Sequence, residues 1–230
     1  MPVINSLTIA VESLLTRLGA IMPSRLVHRV NAALNFVNAG HWMRVHGYDP
    51  PRVKTRHDVF DTLIERIRDA KVLYLEFGVW EGASIRYFAE RLTHPGARFH
   101  GFDSFEGLPE KFIPGIGKGD FDTGSKAPSV DDPRVEFFVG WFSETLPVYE
   151  WPGDYEQLVV MVDADLYSST AEVLEWAEGR IVPGTFVYFD EFNQVGHELR
   201  AFGEFLERTG MQFRPVVMTA ELRAGLFERI

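Results

Sequence analysis

From Lys71 onward the chain alternates short apolar, β-branched runs with amphipathic helical stretches, and this alternation restricts the fold more than any other feature. "KVLYLEFG" leads into a helix from about Glu81 to Leu92; "ARFHGFD" and "RVEFFVG" follow; "QLVVMVD" leads into a helix from Ser169 to Arg180; "GTFVYFDE" leads into a helix from about His197 to Thr209. "FRPVVMT" and "LRAGLFERI" complete a set of seven strands. Strands separated by helices predict an α/β fold, a mostly parallel sheet covered on both faces. The turn at Ala220–Glu221 is too short for a crossover, so the last strand is expected to pair antiparallel. A chain of 230 residues fits one such domain.

Before the sheet, helical spacing predicts helices over Ser6 to Ile21, from Ser24 (as N-cap) toward His46, and from Arg56 to Asp69, with a turn at Gly47 and "YDPP". This divides the chain into an N-terminal helical extension, residues 1–56, and a main domain, residues 57–230. The extension is expected to form a packing layer, a homodimer surface or a cap over a site. Glu12, Arg17 and Arg25 interrupt its apolar residues well short of the ~20 a membrane span needs, and a first charge at Glu12 is unlike the basic start of an export signal. The absence of cysteine excludes disulfides, zinc ribbons and thiol nucleophiles, and fits a cytoplasmic setting. A formal net charge of −10 disfavours nucleic acid as a partner and suits a hard cation. The Gly-, Pro-, Asp- and Lys-rich stretch from Ser104 to Pro133 is too long for an ordinary connection and is expected to form a flexible cover.

Acids stand at the carboxyl ends of four predicted strands: Glu76, Asp103, the pair Asp163 and Asp165, and the pair Asp190–Glu191. In an open α/β sheet that edge is where ligands bind. A single acid there can cap the following helix. The helix after Asp165 has a predicted cap of its own in "STAE", a capping box from Ser169 to Glu172, which frees Asp163 and Asp165 for another role. In extended backbone, residues two apart face the same side, so both could line one pocket. "LEFGVWEGAS" places Gly78 and Gly82 at a strand-to-helix turn without the G-x-G-x-x-G spacing of dinucleotide-binding folds. With Asp103 ending the next strand, where a carboxylate can hold ribose hydroxyls, this turn points to a nucleoside-bearing cofactor.

In this order, "LEFGVWEGAS", "GFDSFEGLPE", "VGWFSETLP", "DADLYSST" and "PGTFVYFDEF" resemble the macrocin O-methyltransferase family over roughly Val72 to Phe192. The resemblance implies a Rossmann-like fold, S-adenosylmethionine (SAM), a divalent metal such as Mg²⁺, and a small-molecule acceptor, a hydroxyl on a sugar or another natural product. It would place Glu76 and Gly78 near the methionine part of the cofactor, Asp103 on the ribose, Ser104 and Phe105 beside the adenosine, and Gly140 and Trp141 at the adenine, with Ser84 also binding the cofactor. Asp163, Asp190 and Glu191 would hold the metal and Asp165 would be the general base. The family usually carries two aspartates where this chain has Asp190–Glu191, one methylene longer at the second position.

An aliphatic hydroxyl keeps its proton near neutrality, so methyl transfer to it needs a base and gains from a nearby cation that stabilises the alkoxide. Mg²⁺ takes oxygen ligands and keeps positions open for water or substrate. Two other readings fit the same acids: a nucleotide-sugar glycosyltransferase using Asp163/Asp165 as a metal-binding D-x-D, and a non-catalytic SAM-fold binding protein. The "LEFGVWEGAS" turn and the second acid pair favour methyl transfer. His197 is read as an exposed helix start, Lys118 as a solvated charge, Trp141 and Phe142 as an adenine wall or core, and Tyr167 as a substrate contact or packing under the loop.

Overall fold

The computed structural model describes residues 6–230. Helices α1 (Ser6–Ile21) and α2 (Ser24–Val45) precede a short strand β1 (Arg52–Val53) and helix α3 (Arg56–Ile67). The chain then runs through β2 (Val72–Phe77), α4 (Ala83–Arg91), β3 (Arg98–Asp103), β4 (Val135–Val139), α5 (Phe142–Thr145), β5 (Gln157–Val162), α6 (Tyr167–Ala177), β6 (Phe186–Phe189), α7 (Glu198–Thr209), β7 (Phe213–Thr219) and β8 (Gly225–Arg229).

All eight strands join one sheet in the order β1-β7-β8-β6-β5-β2-β3-β4. The seven expected strands are present, and β8 lies antiparallel to both neighbours, between β6 and β7. The eighth, β1, adds a parallel edge beside β7 through Arg52↔Met218 and Val53↔Thr219. Two residues behind "DPP" carry no readable alternation, which is why the sequence suggested only a turn.

Side-chain alternation along the strands divides the core. Val72 and Tyr74, Val159 and Met161, and Phe186 and Tyr188 face α3 and α4, where Val59, Phe60, Leu63, Ile64 and Phe88 are buried against them. Leu73, Leu75 and Phe77, Val160 and Val162, and Val187 and Phe189 face α6 and α7, with Ala39 and Met43 from the end of α2. α3 is fixed at its start by a capping box in which Thr55 and Asp58 bond each other's backbone N–H groups.

Several predicted helix starts shift. α6 begins at Tyr167 behind Leu166, with no side-chain cap, so Ser169 lies inside the first turn and the expected capping box does not form. Pro23, not Ser24, is the N-cap of α2. The 104–133 stretch carries two isolated bridges, Glu106↔Asp122 and Ile113↔Ile116, and is tied to the body where Ser168 Oγ donates to Glu110 at 2.8 Å. Among the described residues no helix is long and apolar enough to cross a membrane.

Candidate active site

The tips of β2 to β6 open onto one cleft of about 540 Å³, a size typical of small-ligand and cofactor sites. Gly78, Trp80, Ser84, Asp103, Ser104, Gly140 and Trp141 line it on the side of β2, β3 and β4. Asp163, Asp165, Asp190 and Glu191 line it on the side of β5 and β6, joined by Arg56 from the first turn of α3. Of the residues the resemblance places at the cofactor, the metal or the base, Glu76 and Phe105 stand outside this lining; Gly82, Lys118, Tyr167 and His197 also lie outside it.

The turn after β2 is shaped by the protein's own backbone. Gly78 has φ +89°, and a Cβ there would lie 1.9 Å from the carbonyl oxygen of Asp163, so no other residue fits beside the β5 tip. Asp103 braces the same turn: Oδ2 accepts from the N–H groups of Val79 at 2.8 Å and Trp80 at 2.9 Å, and Oδ1 from that of Phe105 at 2.8 Å. Phe105 is buried with φ +57°, and its carbonyl accepts from Thr123 and Ser125, so it anchors the long loop rather than facing the cleft.

The acids continue the strand alternation. Glu76, Asp163 and Asp190 are the next positions after Tyr74, Met161 and Tyr188 on the face covered by α3. Tyr74 donates to Glu76 at 2.5 Å, and Tyr188 donates in the same way to Asp190. Burial pushes Glu76 up to about 8, although the Tyr74 hydrogen bond and Arg56 pull the other way. Burial, then repulsion from Asp190, Asp165 and Glu76, holds Asp163 well above the usual carboxylate range.

Asp165 reaches the cleft differently. β5 ends at Val162, and Asp165 sits at φ +59° in a tight turn closed by Leu166 N–H donating to the Ala164 carbonyl at 2.6 Å. Strained local backbone, not the two-residue alternation of a strand, therefore aims it. Burial, then Glu191 and Asp190, pushes Asp165 up to about 7.

Four participants carried no recognised sequence signal. Arg56 places Nη1 3.5 and 3.3 Å from the two carboxylate oxygens of Asp190. Arg223 places Nη1 3.4 Å from Glu191. Glu198, on α7, is fully buried; one oxygen accepts from Glu191 N–H at 2.8 Å and the other has no partner. Tyr188 lies inside the apolar run of β6, although the pattern Tyr-x-acid at both Tyr74-x-Glu76 and Tyr188-x-Asp190 marks it.

The lesser candidates settle into plainer roles. His197 is half-buried rather than exposed: Nδ1 accepts from Tyr167 N–H at 3.3 Å and its ring meets Phe112 edge-on. Tyr167 donates to Glu204 at 2.6 Å. Lys118 is exposed. Phe142 lines the cleft beside Trp141 while packing edge-on against Phe77.

In kind, the three carboxylates suit a hard cation, since they offer only oxygen donors on one wall of the cleft. In position, Asp190 and Glu191 are turned to arginines, and among the described residues no three acids, histidines or cysteines stand grouped to hold an ion.

The chain matches the family described as Macrocin-O-methyltransferase (TylF) over residues 25–218. It is similar to the 8-demethyl-8-(2,3-dimethoxy-alpha-L-rhamnosyl)-tetracenomycin-C 4'-O-methyltransferase of Streptomyces olivaceus, with 29% identity over 150 residues, covering 51% of this chain and 52% of that protein. It is also similar to the mycinamicin III 3''-O-methyltransferase of Micromonospora griseorubida, with 37% identity over 75 residues, covering 30% of this chain and 28% of that protein. The chain thus spans about half the length of the first of these relatives and less of the second. Among solved structures it superposes on CalS11, a calicheamicin methyltransferase, with a TM-score of 0.59 at 22% identity over 97% of this chain and 93% of that one, which establishes the Rossmann-like methyltransferase fold.

Proposed function

The chain belongs to the macrocin O-methyltransferase family, and from that membership we propose that it transfers the methyl group of SAM to a hydroxyl on a sugar of a small natural product. The observation that carries the reading is the single cleft shared by the Gly78–Asp103 edge, suited to a nucleoside-bearing cofactor, and the Asp163–Asp165–Asp190 edge, suited to activating a hydroxyl. The D-x-D glycosyltransferase reading is not favoured, because the family match spans both edges.

Bound SAM would supply a methyl group on a positively charged sulfur. Gly78, Ser84, Asp103, Ser104, Gly140 and Trp141 would hold it, with Glu76 and Phe105 supporting the lining from behind. Asp165 would accept the hydroxyl proton as the methyl group passes from sulfur to the oxygen, leaving S-adenosylhomocysteine, and would return that proton to solvent after the products leave. The turn at Asp165 holds the carboxylate in the cleft without a helix cap competing for it. Asp163, Asp190 and Glu191 would hold Mg²⁺ or another divalent ion, whose charge favours the alkoxide.

The proposal extends to a cytoplasmic setting, which a chain without cysteine suits. It also extends to a homodimer built on α1 and α2, where Leu14, Leu15, Ile21, Leu34 and Val37 are exposed.

Thermal unfolding with S-adenosylhomocysteine (SAH) or with UDP, each with and without Mg²⁺, tests the cofactor. SAH at ~100 times its dissociation constant should stabilise by about 2.7 kcal/mol, whereas stabilisation by UDP with Mg²⁺ alone would replace methyl transfer with glycosyl transfer. Asp165→Asn should lower turnover by about 10²-fold or more while SAH affinity holds; full activity in that variant removes Asp165 from the mechanism.

A further inference from the structure

We propose that Arg56 is a built-in competitor for the cation: its guanidinium occupies Asp190, and a divalent ion binds only as Arg56 lets go. The inference rests on reading Asp163, Asp190 and Glu191 as cation ligands.

Arg56 Nη1 lies within 3.5 Å of both oxygens of Asp190, so neither oxygen is free of it. Mg²⁺ needs its oxygens at about 2.0–2.1 Å, and a second positive charge at the same carboxylate opposes it directly. The two partners are not equally fixed. Asp190 is held by the Tyr188 hydroxyl and by its own N–H, which donates to the Val162 carbonyl at 3.1 Å. Its side chain is 12% exposed, against 39% for that of Arg56, which opens onto the cleft from a long flexible stem. Arg56 is therefore the member that can move, while its backbone stays pinned by the Thr55–Asp58 capping box.

Arg223 repeats the arrangement on Glu191, with the arginine side chain 55% exposed and the acid 16%. Each of the two acids that follow β6 is thus paired with an arginine that is the more exposed partner. A merely structural Arg56 would stabilise the fold and leave ion affinity unchanged. A competitor sets the ion's affinity, and this chain binds its cation more weakly than its acids alone would allow.

The test is Mn²⁺ titration of the full chain, followed by the paramagnetic resonance of the free ion, for wild type, Arg56→Gln and Arg56→Lys. SAH calorimetry on the same preparations checks folding. Arg56→Gln should bind Mn²⁺ at least about tenfold more tightly than wild type, with Arg56→Lys, a point charge that spans one oxygen poorly, in between. Equal affinity in wild type and Arg56→Gln, with SAH binding intact, overturns the competitor role and leaves the cation site standing. Absence of Mn²⁺ binding in all three overturns it together with the cation site, while SAH binding still supports methyl transfer.

Discussion

Glu76 is the residue whose chemistry departs furthest from its sequence reading. It lies beneath the cleft, bonded by Tyr74, and keeps its proton to about pH 8 because of burial. An unfolded chain releases that proton near the ordinary carboxylate value, so between those limits the folded state holds the extra proton and stability falls as pH rises. Glu76→Gln removes the titration. Urea unfolding at pH 5.5 and pH 8 should show wild type losing about 3 kcal/mol more than the variant across that window; equal losses would mean that Glu76 is ionised in the fold. Asp163 and Asp190 were legible as residues of the cleft wall because they end apolar runs, and period-two counting from Tyr188 even gives the face on which Asp190 lies. Arg56 and Arg223 were not legible, because each meets its acid only through long-range packing, 134 residues away in the case of Arg56.

At the level of elements, the strand cores of the main sheet were readable and the junctions were not. The β2 and β5 runs are long and largely apolar, so they stand out in the sequence, whereas β1 is two residues long and exists only because β7 offers an open edge. The start of α6 was misplaced because the strained turn at Asp165 brings Tyr167 into the helix ahead of the apparent Ser169 cap. The tightest junction is the approach of the β2 turn to the β5 tip. Gly78→Ala should cost about 2 kcal/mol or more, since both the positive φ and the Asp163 carbonyl oppose a side chain. Urea denaturation would measure that loss, and SAH calorimetry should show weaker binding in the same variant because the turn lines the cleft; wild-type values in both would mean the two tips can separate freely.

For the whole molecule, the N-terminal helices bury the least, and only the end of α2 enters the main core. α2 buries only Ala39 and Met43, while Leu15 on α1 is 61% exposed and Ile21 79%. If this face joins two copies, Leu15→Glu should convert a dimer to a monomer in sedimentation velocity while SAH binding is unchanged; a wild type that sediments as a monomer at all concentrations ends the dimer proposal. The sheet carries a different consequence, one of timing. β7 and β1 reach the remaining strands only through β8, which is made after both. Synthesis therefore delivers β1 early and leaves it waiting for some 170 residues of later chain, and long-range closures of this kind come last in folding. Arg56 follows β1 by three residues. Helix α3 itself packs on residues of β2, β5 and β6, so a nascent chain stalled short of β8 can already bring Arg56 to its acid while the β7–β1 edge is still unattached.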